Sequence, residues 1–251
     1  MQTPQPKLPL GIRACLFDMD GVLTQTAKVH AAAWKEMFDA YLRQRSDADG
    51  SPFAPFDIET DYVKYVDGKL RQDGVRSFLE SRGITLPEGE PDDSGEMETV
   101  HGLGARKNAR VGEIIKTEGV ETFPDAIALL QAVRAVGIKT AVVSASKNTP
   151  EVLQVTGIGH MFDYVMHGGI AAEMGLPGKP APDTFVAAAE ALGETPASCA
   201  VLEDAIAGVK AGKAGGFGYV IGVDRVGQRE ALLENGADIV LSDLAELVAT
   251  E

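Results

Sequence analysis

Two cysteines in 251 residues, Cys15 and Cys199, are too few to frame a disulfide scaffold, and neither has a metal-type neighbour at close spacing. Each lies in an apolar stretch that reads as a buried strand, so both are expected to be reduced core thiols. Basic residues are also scarce: 23 Lys and Arg stand against 37 Asp and Glu, a formal net charge of −14. So acidic a protein argues against nucleic acid and against anionic membranes as partners. No apolar run approaches the roughly 18 residues of a membrane span. The N-terminus, MQTPQPKLPLGIR, lacks the apolar core of a secretory signal and reads as a short disordered lead-in, which makes a cytoplasmic location the expectation. There is no internal repeat. The remainder, 45% hydrophobic and 24% charged, is ordinary for a globular protein with room for a core domain and a smaller insertion.

From about residue 123 onward, short apolar runs alternate with helical patterns. Pro124 opens a helix that Gly137 closes. It is followed by the run KTAVVS (139–144), a helix from about Asn148 to Thr156, a short run at 164–168, and the helix PDTFVAAAEALG (182–193). CAVLED (199–204), GYVIGVD (218–224) and DIVLSD (238–243) are three more apolar runs, each followed by a helical pattern. Near-continuous Val/Ile/Leu runs in such alternation predict a doubly wound, Rossmann-like parallel sheet with helices on both faces. Its first strand, ACLFD (14–18), stands far upstream. Between lie predicted helices over 27–45, 59–83 and 105–118, separated by polar loops at 46–55 and 87–98. The second loop, with Glu88, Glu90, Asp92, Asp93, Glu96 and Glu98 and no base, reads as solvated. The expected organisation is an α/β core of residues 11–25 and 123–251, interrupted by an all-helical insertion over 26–122.

Ligands of open α/β sheets bind beyond the carboxyl ends of the strands. Those ends carry Asp18 and Asp20, Ser144, and Glu203 with Asp204, and Lys179 lies in the loop GKPAPD (178–183). Asp18 supplies an ionised oxygen nucleophile able to form an acyl phosphate. Asp20 can serve as general acid and base, and Gly21 permits a sharp turn after it. Carboxylates beside a phosphate need a cation, and Glu203 and Asp204 offer hard oxygen ligands suited to Mg²⁺. Ser144 and Lys179 can hold the transferring oxygens, assisted by backbone N–H groups of the helix that starts near Asn148.

As a set, DMDGV, VVS, GKPAPD and LEDAIAGVKAG resemble the four motifs of the haloacid dehalogenase superfamily. SASKN (144–148), DGVLTQTAKVHAAAWK (20–35), DGKLRQDG (67–74) and RKN (106–108) are similar to the β-phosphoglucomutase family. The resemblance implies that Asp18 is phosphorylated and that Asp20 relays protons. It implies that Mg²⁺ sits among Asp18, Asp20 (through its backbone carbonyl), Glu203 and Asp204. By the same resemblance Ser144, Ala145 and Lys179 hold the transferring phosphate, and Ser146, Lys147 and Asn148 position the sugar phosphate. The insertion becomes a mobile cap whose Arg71 grips the distal phosphate, its planar fork suiting that task. Gly68 belongs to the same substrate-binding set. Thr26, His30 and Lys107 link cap closure to Asp20, with a structural role for His30 as the alternative. Trp34, the only Trp, either lines the sugar pocket or anchors cap to core. Gln25, Asp67 and Gly74 depart from the family pattern within or beside the cap, where substrate is read.

The resemblance implies a phosphomutase that interconverts β-glucose 1-phosphate and glucose 6-phosphate, with glucose 1,6-bisphosphate as activator. The alternative is a Mg²⁺-dependent phosphatase of a small phosphosugar. Dehalogenase chemistry has no use for Asp20 as an acid or for a magnesium pair, and a silent sugar-phosphate sensor would not need every chemical position intact. A small phosphorylated sugar is the expected partner, and the expected oligomeric state is monomeric.

Overall fold

A computed structural model describes residues 5–248. Residues 1–4 of the expected lead-in and residues 249–251 of the expected core lie outside the described residues. The rest of the lead-in is ordered, contrary to expectation: Pro6 bridges Val248, and the Lys7 N–H donates to the Leu247 carbonyl at 2.7 Å. Paired backbone groups tie this segment down although its composition is polar.

In chain order the elements are β1 (Ala14–Phe17), α1 (Ala27–Asp49), a π-helical segment (Ile58–Val66), α2 (Arg71–Ser81), α3 (Val100–Glu118), α4 (Pro124–Ala135) and β2 (Lys139–Val143). There follow α5 (Thr149–Thr156), β3 (Tyr164–Met166), α6 (Gly168–Glu173), α7 (Asp183–Ala191), β4 (Cys199–Glu203), α8 (Ile206–Ala214), β5 (Tyr219–Val223), α9 (Arg229–Glu234) and β6 (Ile239–Leu241). They form two compact units, Met1–Gln25 with Val120–Glu251, and Thr26–Gly119. No helix among the described residues is long and apolar enough to cross a membrane.

The first unit is built on a parallel sheet of order β3-β2-β1-β4-β5-β6. Its register runs from Ala14↔Lys139 to Phe17↔Val142 on one side of β1 and from Ala14↔Cys199 to Phe17↔Leu202 on the other. Every residue of β1 and β4 is buried, because helices cover both faces of the sheet. The strand order reverses between β1 and β4, where the chain ends of both strands leave a crevice. One core cluster joins Leu16, Val143 and Val201 of the sheet to Phe185 and Ala188 of α7 and Val209 of α8. The chain returns to this unit at Val120, three residues before the expected boundary. Gln25 N–H donates to the Glu121 carbonyl and Phe123 N–H to the Leu23 carbonyl, each at 2.9 Å, so the outgoing and returning segments pair antiparallel.

The second unit is helical. Trp34, Met37, Phe38 and Tyr41 recur at the spacing of one helix face and are buried on α1, packing with Phe56, Phe78 and Leu103. Helix α1 continues to Asp49, beyond the expected 45, and stops where Gly50 adopts a left-handed φ of 71°. The helix expected over 59–83 is two elements. Asp57 caps the first by accepting from the N–H groups of Glu59 and Thr60, and the chain breaks at Gly68, φ 68°. Helix α3 begins at Val100 rather than 105 because the Thr99 hydroxyl accepts from the Gly102 N–H. The acidic loop is not merely solvated. Arg76 pairs with Glu88, the Arg106 guanidinium donates to the Gly95 carbonyl, and the Thr99 hydroxyl donates to Asp93.

Candidate active site

Asp18 follows the last residue of β1, its N–H donating to the Leu202 carbonyl of β4 at 2.9 Å. Glu203 ends β4 and Asp204 follows it, so the crevice at the strand reversal collects three carboxylates. One oxygen from each lies within 4.8 Å of the others, and all three residues are buried. Lys179 reaches in from the loop before α7. Its Nζ is 2.5 Å from Asp18 Oδ1, 2.5 Å from Glu203 Oε1 and 3.0 Å from the Val143 carbonyl. Burial alone would depress the Lys179 pKa, yet the two carboxylates overcome it and hold the ammonium above its usual range. Burial likewise pushes Glu203 up to about 7, with Asp18 adding to the rise and Lys179 opposing it.

One ammonium cannot balance three buried carboxylates, and the cluster is compact enough for a single cation to finish the task. The fit is specific. Glu203 Oε1 is buried and faces the Lys179 ammonium at 2.5 Å. A Cβ at Gly208 would stand 1.9 Å from Glu203 Cδ, and one at Gly21 would stand 1.8 Å from Asp204 Oδ2. Both glycines leave room for carboxylates to converge, and Gly21 also needs its φ of 90° for the turn after Asp20. That turn, in which Asp20 bridges Thr24, is closed by the Gly21 N–H donating to the Thr24 carbonyl at 2.8 Å and by the Thr24 hydroxyl donating to the Met19 carbonyl at 3.0 Å.

Ser144 directly follows β2. Its N–H donates to the Met166 carbonyl, and its hydroxyl oxygen accepts from the Ser146 N–H at 3.1 Å. Ser146 in turn accepts from the Asn148 N–H at 3.1 Å, and the Thr149 hydroxyl donates back to the Ser146 carbonyl. These bonds fold 144–149 into a tight approach to α5. Gly168 lets the Ala145 carbonyl pack close, since a Cβ there would meet that oxygen at 2.3 Å. Lys147 is exposed at the loop's tip.

A model of the haloacid dehalogenase-like hydrolases matches residues 12–216. The chain is 51% identical over 244 residues to a β-phosphoglucomutase from Mycobacterium bovis, spanning 96% of this chain and 93% of that one. It belongs to the β-phosphoglucomutase family of haloacid dehalogenase-like hydrolases. A β-phosphoglucomutase from Bacillus subtilis is 32% identical over 94% of this chain and 92% of its own. The crystal structure of β-phosphoglucomutase from Clostridium difficile superimposes with a TM-score of 0.72, covering 94% of this chain and 93% of that one at 28% identity. Like its family, the protein is a phosphoryl-transfer enzyme.

The helical unit gathers other residues that the family resemblance singles out. Lys107 is buried, with Nζ 3.0 Å from His30 Nδ1 and 4.9 Å from the centroid of the Trp34 ring. Burial and the Lys107 ammonium hold His30 well below its usual pKa, so a neutral imidazole accepts the Lys107 proton donor. Thr26 is buried and its carbonyl accepts the His30 N–H at 2.9 Å, the first turn of α1. Trp34 is 3% exposed and stacks on Phe38 with centroids 5.2 Å apart. Arg106 of RKN serves the acidic loop rather than Lys107. Arg71 opens α2 with its stem 3.3–3.5 Å from where a Gly104 Cβ would stand, and its Nε is buried without a hydrogen-bond partner. Gly68 lies three residues before it, in the left-handed conformation that ends the π-helical segment.

Proposed function

We propose that the enzyme interconverts β-glucose 1-phosphate and glucose 6-phosphate through an aspartyl-phosphate at Asp18 and a bisphosphate intermediate. The observation that carries the phosphoryl-transfer step is the buried Asp18–Glu203–Asp204 cluster with Lys179 fixed among its carboxylates. Near-full-length similarity to β-phosphoglucomutases supports a mutase over a phosphatase.

A carboxylate oxygen of Asp18 attacks the phosphorus of the donor and forms the acyl phosphate, while the departing sugar oxygen takes a proton from Asp20. The free hydroxyl of a sugar monophosphate then attacks the acyl phosphate and gives its proton to Asp20, regenerating the Asp18 carboxylate and forming the bisphosphate that serves as the next phosphoryl donor. Lys179 neutralises charge on the nucleophile and on the transferred oxygens, and Ser144 and the backbone of 144–146 donate hydrogen bonds to those oxygens. Asp18, Glu203, Asp204 and the Asp20 carbonyl would hold Mg²⁺, which supplies further charge neutralisation to the phosphoryl group. Arg71, with an unsatisfied buried N–H, takes the phosphate not being transferred. Ser146, Lys147 and Asn148 orient the sugar phosphate, and Gly68 adds a backbone contact. By the family resemblance, Thr26, His30 and Lys107 would link closure of the helical unit to Asp20.

Asp18 must be phosphorylated before each cycle, so conversion of β-glucose 1-phosphate should begin with a lag that glucose 1,6-bisphosphate removes. Inorganic phosphate should appear far more slowly than isomerised sugar. Stoichiometric phosphate release from the first turnover, indifferent to the bisphosphate, would replace the mutase by a phosphosugar phosphatase.

A further inference from the structure

The loop between β5 and α9 reaches both halves of the catalytic crevice. Asp224 Oδ1 braces it by accepting the N–H groups of Gly227 at 2.7 Å and Gln228 at 2.8 Å. From this platform Gln228 Nε2 donates to the Asp204 carbonyl at 2.8 Å. Arg225 uses every face of its guanidinium. Nε donates to the Gly21 carbonyl at 3.3 Å, Nη1 donates to the Ser242 carbonyl at 3.0 Å, and Nη2 lies 2.9 Å from Asp125 Oδ2. Its plane stands 3.9 Å from the centroid of the Phe123 ring. Asp125 is held in turn, accepting the Leu244 N–H at 2.8 Å.

Gly21 is the residue after Asp20, and a Cβ built on it would stand 1.8 Å from Asp204 Oδ2. Arg225 grips its carbonyl from the other side. Phe123 and Asp125 flank the returning segment that pairs with Leu23 and Gln25. One side chain therefore fastens the Asp20 turn to the returning segment and to the end of β6.

We propose that Arg225 is a positioning residue for the proton-transfer step, holding the turn that carries Asp20 at its working distance from the Asp18 phosphoryl group. The inference rests on Asp20 acting as general acid and base. General acid catalysis is worth about 10²–10⁴-fold and depends on sub-ångström placement, so a loosened turn forfeits a measurable part of it.

Leaving-group dependence provides the test. Acetate departs from acetyl phosphate without needing a proton, whereas a sugar alkoxide departs only with one. Phosphorylation of Asp18 is measured with acetyl phosphate and with β-glucose 1-phosphate, for wild type, Arg225→Lys, Arg225→Gln, Asp20→Asn and the Asp20→Asn/Arg225→Lys double variant. All assays run below each variant's melting temperature, and Arg225→Lys keeps a charge beside Asp125 should Arg225→Gln fold poorly. The expected result is a loss of about tenfold or more in kcat for the sugar phosphate at nearly constant KM, with less than about twofold change for acetyl phosphate. On the Asp20→Asn background the Arg225 substitution should add little. Equal losses on both donors, or full additivity with Asp20→Asn, would overturn the inference and make Arg225 a structural tie. Should Asp20→Asn retain full activity on the sugar phosphate, the acid–base reading itself falls and takes the inference with it.

Discussion

Burial raises Glu203 to about 7 from a reference of 4.5, so in the metal-free protein its carboxyl holds a proton over a range in which the unfolded chain has lost it. A cation ligated by Glu203 must displace that proton. Near pH 7 a large share of the Glu203 carboxyls is ionised and at pH 5 very few are, so Mg²⁺ affinity should fall by about tenfold or more between the two. Lys179 remains charged throughout, since its pKa is raised further. In metal-free protein, stability from Glu203 is full below about 4.5 and is lost as pH rises through 7. His30 acts oppositely: its folded pKa is depressed, so it costs stability as pH falls below 6.5. The two slopes overlap, which makes the metal-dependent difference the clean readout. Isothermal titration calorimetry in buffers of different ionisation enthalpy should detect release of nearly one proton per Mg²⁺ at pH 5–6, and Glu203→Gln should abolish it. Affinity that is level between pH 5 and 7, or binding without proton release, would refute the assignment of Glu203 as a ligand.

Arg71→Ala should lower kcat/KM for a phosphosugar about tenfold or more while leaving acetyl phosphate untouched, because a charge-assisted contact to the distal phosphate is worth roughly 1.5–3 kcal/mol. Equal losses on both would assign Arg71 to the fold of the helical unit. Gly208→Ala should weaken Mg²⁺ binding and lower the melting temperature, since its Cβ would fall 1.9 Å from the Glu203 carboxyl carbon and overpacking costs about 1–3 kcal/mol. Unchanged metal affinity in a folded Gly208→Ala protein would show that Glu203 can move aside.

The sheet was legible because a parallel strand covered on both faces must be apolar along its length, and ACLF, KTAVV and CAVLE are. The chemical residues were legible for the same reason, since polar side chains at the ends of such runs stand out: Asp18, Ser144, Glu203 and Asp204 all sit there. Lys179 was less so, a lysine in a Gly/Pro loop until motif order gave it meaning. The helical unit was read less well. Ser46–Asp49 looks like a loop and is helix, because only Gly50 stops α1. The spacing of Trp34 with Met37, Phe38 and Tyr41 did put all four on the buried face of α1. The grip of Arg225 on Gly21 joins residues 204 positions apart in the chain, which no local pattern encodes.

The central claim is that Asp18 carries the phosphoryl group. Rapid mixing of metal-loaded enzyme with glucose 1,6-bisphosphate, quenching in acid and peptide mass spectrometry test it directly. The account predicts one added phosphoryl group on Asp18, labile to hydroxylamine and absent from Asp18→Asn. A phosphoryl group on any other residue, or none in an enzyme that turns over, would contradict it.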